Sequence, residues 1–166
     1  HAVYYGIGAF ITMHMLNIIG KDGSPLTTAL LPLVGGLAGM LAGVVLGYVT
    51  TKKAGTTFAM ISLGIGELVA ACALMFPGFF GGEGGVSGNR VVGKGNLLGF
   101  TWGPQIEMYW LIVAWAFLAT VAMFALTQTP LGRMANAVRD NPERAEFVGY
   151  DTQRVRYLML ILSGFF

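Results

Sequence analysis

The chain has 166 residues, of which 55% are hydrophobic and 11% are charged, and its mean hydropathy is +0.67. A soluble domain of this size leaves a large fraction of its chain in contact with water. The few charged residues of this chain are not enough to cover such a surface. The net charge of +2 is too small to predict a nucleic-acid partner, and the single cysteine excludes an internal disulfide. The composition therefore predicts an integral membrane protein in a lipid bilayer.

Apolar stretches separated by charged residues predict the membrane-spanning segments, each about 20 residues long. Because a backbone in lipid must satisfy its hydrogen bonds within its own segment, we expect these segments to be helices. The predicted fold class is all-α, a polytopic transmembrane helix bundle. The predicted spans are about 2–20, 28–50, 56–76, 108–128 and a truncated one at 157–166, with a loop at 77–105 and a polar segment at 129–156.

Both ends of the sequence suggest a fragment of a longer membrane protein. Apolar sequence starts at Ala2 without a polar lead-in, and the ten apolar residues after Arg156 are half of a span. We therefore expect further helices before His1 and after Phe166.

Basic residues predict the orientation, because short cytoplasmic loops carry an excess of lysine and arginine. If the polar segment 129–156 is cytoplasmic, the loop 77–105 is external. Seven basic residues then lie inside and three outside: Lys52, Lys53, Arg133, Arg139, Arg144, Arg154 and Arg156 against Lys21, Arg90 and Lys94.

The second predicted span contains glycines spaced four residues apart, which places them along one helix face. A neighbouring backbone can approach such a face closely, so the pattern predicts a tight helix–helix contact. A smooth wall beside a translocation path is the alternative. The glycines are Gly35, Gly39, Gly43 and Gly47.

Polar residues inside the predicted spans are candidates for the translocation path. Glu67 lies near the middle of the third span, where a carboxylate is disfavoured by roughly 3 kcal/mol, so it should face protein or water. It either lies on a solute pathway or bonds a neighbouring helix, for example through Ser62. His14 and Asn17 are likewise expected to face the bundle interior, where hydrogen bonding between helices is favoured over a place on the path.

The sequence contains no complete motif for catalysis, nucleotide binding or metal binding. Gly88 to Lys94 fits the first seven positions of a phosphate-binding loop, but Gly95 replaces the hydroxyl residue that would hold magnesium. Neither a nucleophile–base pair nor a metal-binding cluster is evident. We therefore predict a protein that is not an enzyme and has no cofactor or metal.

The polar segment at 129–156 predicts two short helices, the first of them at about 132–138. The second begins at about Asn141. Asn141 and Pro142 suit the N-cap and the first helical position, and acidic residues in the early turns suit the helix dipole. Gly149 suits the left-handed residue that ends a helix. A helix at about 142–148 with charges of both signs favours a docking surface for a cytosolic partner over a solvated loop.

The run TPLGRMANAVRDNPERAEFVGY at 129–150 resembles the cytoplasmic loop of permease subunits from ATP-driven (ABC) importers of branched-chain amino acids. Three other stretches are similar to the same family: HAVYYGIGAF at 1–10 resembles an early helix, FAMISLGIGE at 58–67 a later one, and GGEGGVSG at 81–88 a loop. The resemblance covers most of the chain, and its most specific part is the cytoplasmic loop.

The resemblance implies a multi-pass permease subunit in a bacterial plasma (inner) membrane, with ATP hydrolysis in a separate subunit. The implied partners are a second permease subunit, cytosolic ABC ATPases and a periplasmic or extracellular solute-binding protein. The implied ATPase-coupling loop contains Arg139, Asp140, Asn141, Glu143, Arg144, Glu146 and Gly149.

Two alternatives stay open at this point. Importers of urea and short amides share the same subunit architecture, so the substrate does not follow from the resemblance. A carrier of a different class would couple uptake to an ion that titrates Glu67, and it would need no ATP.

Overall fold

The computed structural model describes residues 2–19, 25–53, 55–88 and 102–166. All regular structure within these residues is helical, so the predicted all-α fold class is confirmed. The helices are α1 (Ala2–Ile19), α2 (Pro25–Thr50), α3 (Thr56–Met75), α4 (Pro77–Phe80), a 3₁₀ turn (Gly82–Gly84), α5 (Gln105–Gln128), α6 (Pro130–Asp140), α7 (Pro142–Phe147) and α8 (Thr152–Phe165).

Among the described residues, four helices are long and apolar enough to cross a membrane, namely α1, α2, α3 and α5. Each has apolar residues all around its circumference, as expected of a helix surrounded by lipid and other helices. The chain is therefore a multi-pass membrane protein. The sequence that resembles a phosphate-binding loop lies, apart from Gly88, outside the described residues.

Helix α2 is the centre of the described bundle, because it packs against α1 on one side and α8 on the other. The backbones of α1 and α2 approach closely at Gly8, where an added Cβ would lie 2.7 Å from the carbonyl oxygen of Gly35. Contact with α8 is closest at Gly39, where an added Cβ would overlap the carbonyl oxygen of Gly164. Further along, the Tyr157 hydroxyl donates a hydrogen bond to the α2 backbone at 2.9 Å.

The remaining two glycines of the α2 row also face α8. An added Cβ at Gly43 would lie 3.3 Å from the Cα of Ile161, and one at Gly47 would lie 2.6 Å from Cδ2 of Leu160. The whole row from Gly35 to Gly47 thus contacts neighbouring helices within the described chain, at distances that small residues permit.

Helices α3 and α5 have no buried residues within the described chain. Helix α5 is tied to α2 by Trp115, whose indole nitrogen donates to the carbonyl oxygen of Ala29 at 2.9 Å. Helix α5 begins at Gln105, directly after Pro104, and so starts earlier than the predicted span. The large apolar surfaces of α3 and α5 are available to lipid or to other membrane helices.

Candidate functional site

The polar segment folds into a compact platform, defined here as α6, α7 and the first turn of α8. Helix α6 turns away from α5 at Gly132, where an added Cβ would lie 2.6 Å from the carbonyl oxygen of Thr127. Only glycine fits so tight a turn. The Thr129 hydroxyl accepts a hydrogen bond from the Gly132 backbone nitrogen at 3.4 Å, and Pro130 occupies the first turn of α6.

Helix α7 is fixed at its beginning by an N-cap. The Asn141 side-chain oxygen accepts a hydrogen bond from the backbone nitrogen of Arg144 at 3.1 Å, and Pro142 follows as the first helical residue. This cap satisfies one of the backbone N–H groups that a helix start leaves unpaired.

The other end of α7 is closed by backbone and side-chain hydrogen bonds. Gly149, with φ of 93°, donates from its backbone nitrogen to the carbonyl of Glu146 at 2.9 Å. The Glu146 carboxylate accepts a hydrogen bond from the Thr152 hydroxyl at 2.8 Å. Asp151 then caps α8 by accepting from the backbone nitrogens of Gln153 and Arg154. Helix α7 is therefore held firmly between α6 and α8.

A small apolar core joins the three helices of the platform. Val138 from α6, Ala145 from α7 and Val155 from α8 are buried together, and Met134 and Ala135 pack against them. Helix α8 continues from this core to the glycine row of α2, so one helix contacts both α7 and the membrane helix α2.

The outward surface of α7 combines charge with exposed apolar side chains. Glu143 and Arg144 are exposed, and Phe147 and Val148 are 90% and 74% exposed. Arg139 and Asp140 form an exposed ion pair at 3.1 Å beside this surface. The sequence analysis missed Phe147 and Val148. Two large apolar residues within a charged segment were the signal that could have identified them.

The three residues predicted for a translocation path are not brought together. Glu67 is exposed on α3, and Ser62 lines a small cavity of about 100 Å³ with Tyr4 and Thr50. His14 lies near the opposite end of the bundle, where its Nε2 donates to the carbonyl of Phe79 at 2.5 Å and its ring stacks on the Phe79 ring. Their predicted role in the path stays a prediction.

His14 belongs instead to a set of contacts that hold the segment after α3 against α1. The amide nitrogen of Asn17 donates to the carbonyl of Ser87 at 3.1 Å. Phe10 packs edge-on against Phe80, with ring centroids 4.9 Å apart. His14 and Asn17 therefore hydrogen-bond a neighbouring segment, in line with the role that the sequence favoured for them.

A cavity of about 840 Å³ lies where α1, α2, α5 and the end of α8 meet. Its wall is aliphatic and aromatic, and its polar groups include Thr12, Thr28 and Trp115. Pro32 also lines the cavity, and it interrupts the hydrogen bonding of α2 because it lacks a backbone N–H. None of the residues predicted for the path lines this cavity.

Several apolar spans and an ordered polar platform define the class of this protein as a polytopic membrane protein. The family described as "Branched-chain amino acid transport system / permease component" matches residues 1–166 of the chain. The chain belongs to this family, and the resemblance noted in the sequence is confirmed.

Two curated relatives are similar to the chain. They are the high-affinity branched-chain amino acid transport system permease proteins LivM of Escherichia coli (strain K12) and of Salmonella typhimurium (strain LT2). Each is 26% identical over 183 aligned residues, which include 98% of this chain and 42% of the relative. The chain thus spans less than half the length of these relatives. No solved structure matches the chain.

Proposed function

We propose that the chain is the membrane-embedded part of a permease subunit in an ATP-driven importer of branched-chain amino acids. Membership of the permease family and the similarity to the two LivM proteins support this function. The importer would lie in a bacterial plasma membrane. It would need a second permease subunit and a solute-binding protein, and its ATP hydrolysis would take place in separate cytosolic subunits.

In this proposal, α7 docks on a cytosolic ATPase. The observation that carries this assignment is the 90% exposure of Phe147 on a helix that is capped at its start and clamped at its end. Burying a phenylalanine side chain stabilises a contact by about 1.5–3 kcal/mol. Glu143 and Arg144 beside it would select a partner surface with complementary charges.

The cavity between α1, α2 and α5 is our candidate for the wall of the translocation path. Its aliphatic lining suits a branched hydrocarbon side chain, and Thr12 and Thr28 could hydrogen-bond the polar end of an amino acid. Glu67, exposed on α3, must be covered in the membrane because a carboxylate in contact with lipid is costly. We assign it to the contact with other membrane helices or to the path.

The docking proposal is tested by co-purifying the full-length permease with its ATPases after Phe147→Ala. Loss of one buried phenylalanine should weaken the association by about 10- to 100-fold. The matched control is Gln153→Ala, which changes an exposed side chain on the neighbouring helix α8. Equal recovery of the ATPases with both variants would contradict the assignment of α7.

Transport itself is tested in proteoliposomes that contain the whole importer and its solute-binding protein. We expect uptake of labelled leucine that requires hydrolysable ATP and survives collapse of the proton and sodium gradients. Uptake of urea in preference to leucine would favour the amide importer. Uptake without ATP that disappears with Glu67→Gln would favour the ion-coupled carrier.

A further inference from the structure

Another cavity, of about 480 Å³, lies where α2 ends, α3 begins and α8 passes beside them. Two of the residues that line it are basic, Lys53 from the α2–α3 turn and Arg156 from α8. Its apolar wall is formed by Phe58, Met159 and Leu160. The cavity is thus amphipathic, with two cations and a hydrocarbon surface.

The two cations have no acidic partner within the described part of the chain. Arg154 pairs with Asp151 at 3.0 Å, and the Lys52 ammonium lies 4.6 Å from the centre of the Tyr48 ring. No ion pair involves Lys53 or Arg156 among the described residues, and no acidic residue lines the cavity. Their positive charge is therefore available to an anion.

The position of the cavity along the helices matches the edge of a bilayer. The apolar run of α2 ends at Thr50, and Tyr48 and Tyr157 lie there with ring centroids 6.2 Å apart. Tyrosines concentrate at the level of lipid headgroups. Lys53 follows the end of α2, whereas Phe58 lies in the first turn of the apolar helix α3, and Met159 and Leu160 lie about one turn further along α8 than Arg156. The charges thus lie at headgroup depth and the apolar wall lies at the depth of the acyl chains.

We propose that this cavity binds one anionic phospholipid. The headgroup phosphate lies between Lys53 and Arg156, and an acyl chain runs along Phe58 and Met159. Basic pockets between membrane helices on the cytoplasmic side are typical sites for such headgroups. A free phosphate would use the two cations but not the apolar wall. The site rests on the proposed orientation, which places it in the cytoplasmic leaflet.

Such a lipid would connect α3 to α8. Helix α3 has no buried residues within the described chain, whereas α8 carries the platform core and the contact with α2. A phospholipid held by Lys53 in the turn before α3 and by Arg156 on α8 would fill the gap between the two helices. The occupied site would stabilise the arrangement of these two helices.

The test measures lipid binding by native mass spectrometry on the full-length permease, purified with its partner subunits and exposed to phosphatidylglycerol or phosphatidylcholine. Each basic residue near a membrane surface contributes about 1 kcal/mol to the binding of anionic lipid, so the pair Lys53→Gln and Arg156→Gln should weaken phosphatidylglycerol binding by about 30-fold. Phosphatidylcholine binding should not change.

The control pair Lys52→Gln and Arg154→Gln removes the same charge outside the cavity and should keep tight binding. The pair Lys53→Arg and Arg156→Lys keeps the charge and should also bind, which separates loss of charge from loss of folding. Equal weakening by the cavity pair and the control pair would overturn the proposal. Full displacement of the lipid by equimolar inorganic phosphate would also overturn it, because the site would then bind a free anion. These outcomes do not depend on transport activity.

Discussion

Substitution of Gly39 by alanine tests the close packing of α2 against α8. The added Cβ would overlap the carbonyl oxygen of Gly164 and would lie 3.3 Å from the carbonyl oxygen of Tyr4. Both obstacles are backbone atoms, so no side-chain rotation can relieve the clash. Helix α2 must move away from α1 and α8 together.

The expected size of the effect follows from two opposing contributions. Overpacking a tight contact destabilises the folded protein by about 1–3 kcal/mol. Replacing glycine by alanine inside a helix stabilises the helix by roughly 0.5–1 kcal/mol. We therefore expect Gly39→Ala to lower the free energy of unfolding by about 1–2 kcal/mol. Gly47→Ala should cost less, because its Cβ would meet Cδ2 of Leu160, the movable end of a side chain.

The matched control is Gly64→Ala on α3, where no described atom lies within 4 Å of the added Cβ. The assay heats the full-length protein in detergent and measures the fraction that stays monodisperse. We expect the thermal stability of Gly64→Ala to equal or exceed that of the parent protein. Gly47→Ala should be slightly less stable than the parent protein, and Gly39→Ala should be the least stable of the three variants. If Gly39→Ala were as stable as Gly64→Ala, the result would contradict a close backbone contact between α2 and α8 at Gly39.

Two further substitutions test the platform and the attachment of α5. Asn141→Ala removes the cap of α7 and should destabilise that helix by about 1 kcal/mol, so amide hydrogen exchange at 142–148 should become faster. Asn136→Ala, which changes an exposed residue on α6, is the control and should leave this exchange unchanged. Trp115→Phe removes the hydrogen bond to Ala29 and should cost about 1 kcal/mol in thermal unfolding. Trp110→Phe, on an exposed face of α5, is its control. Unchanged exchange or unchanged unfolding would contradict the corresponding contact.

Local signals in the sequence were enough to predict α7. Asn141 and Pro142 fix its start and Gly149 its end, because capping and left-handed conformations depend on the residue itself and its near neighbours. The apolar spans were predictable for a similar reason, since length and hydropathy are properties of one segment.

Contacts between distant segments could not be predicted in the same way. The bond from His14 to the carbonyl of Phe79 joins residues that are 65 positions apart, and nothing near either residue specifies the other. The glycine spacing in α2 predicted a close helix contact but could not identify α1 and α8 as the partners. The exposure of Phe147 depends on which side of α7 faces the platform core, and that is decided by Val138 and Val155.

Helix α8 connects the platform core, against which α7 packs, to the membrane bundle as one continuous helix. Its first turns carry Val155 in the platform core, and its last turn carries Gly164 against Gly39 of α2. Between them, the Tyr157 hydroxyl bonds the α2 backbone. Packed cores do not deform continuously. A displacement of α7 by a docked partner would therefore move α8 as one body and shift its contact with α2. The α2–α8 contact is where we expect such a displacement to reach the wall of the larger cavity, because Phe165 at the end of α8 lines it.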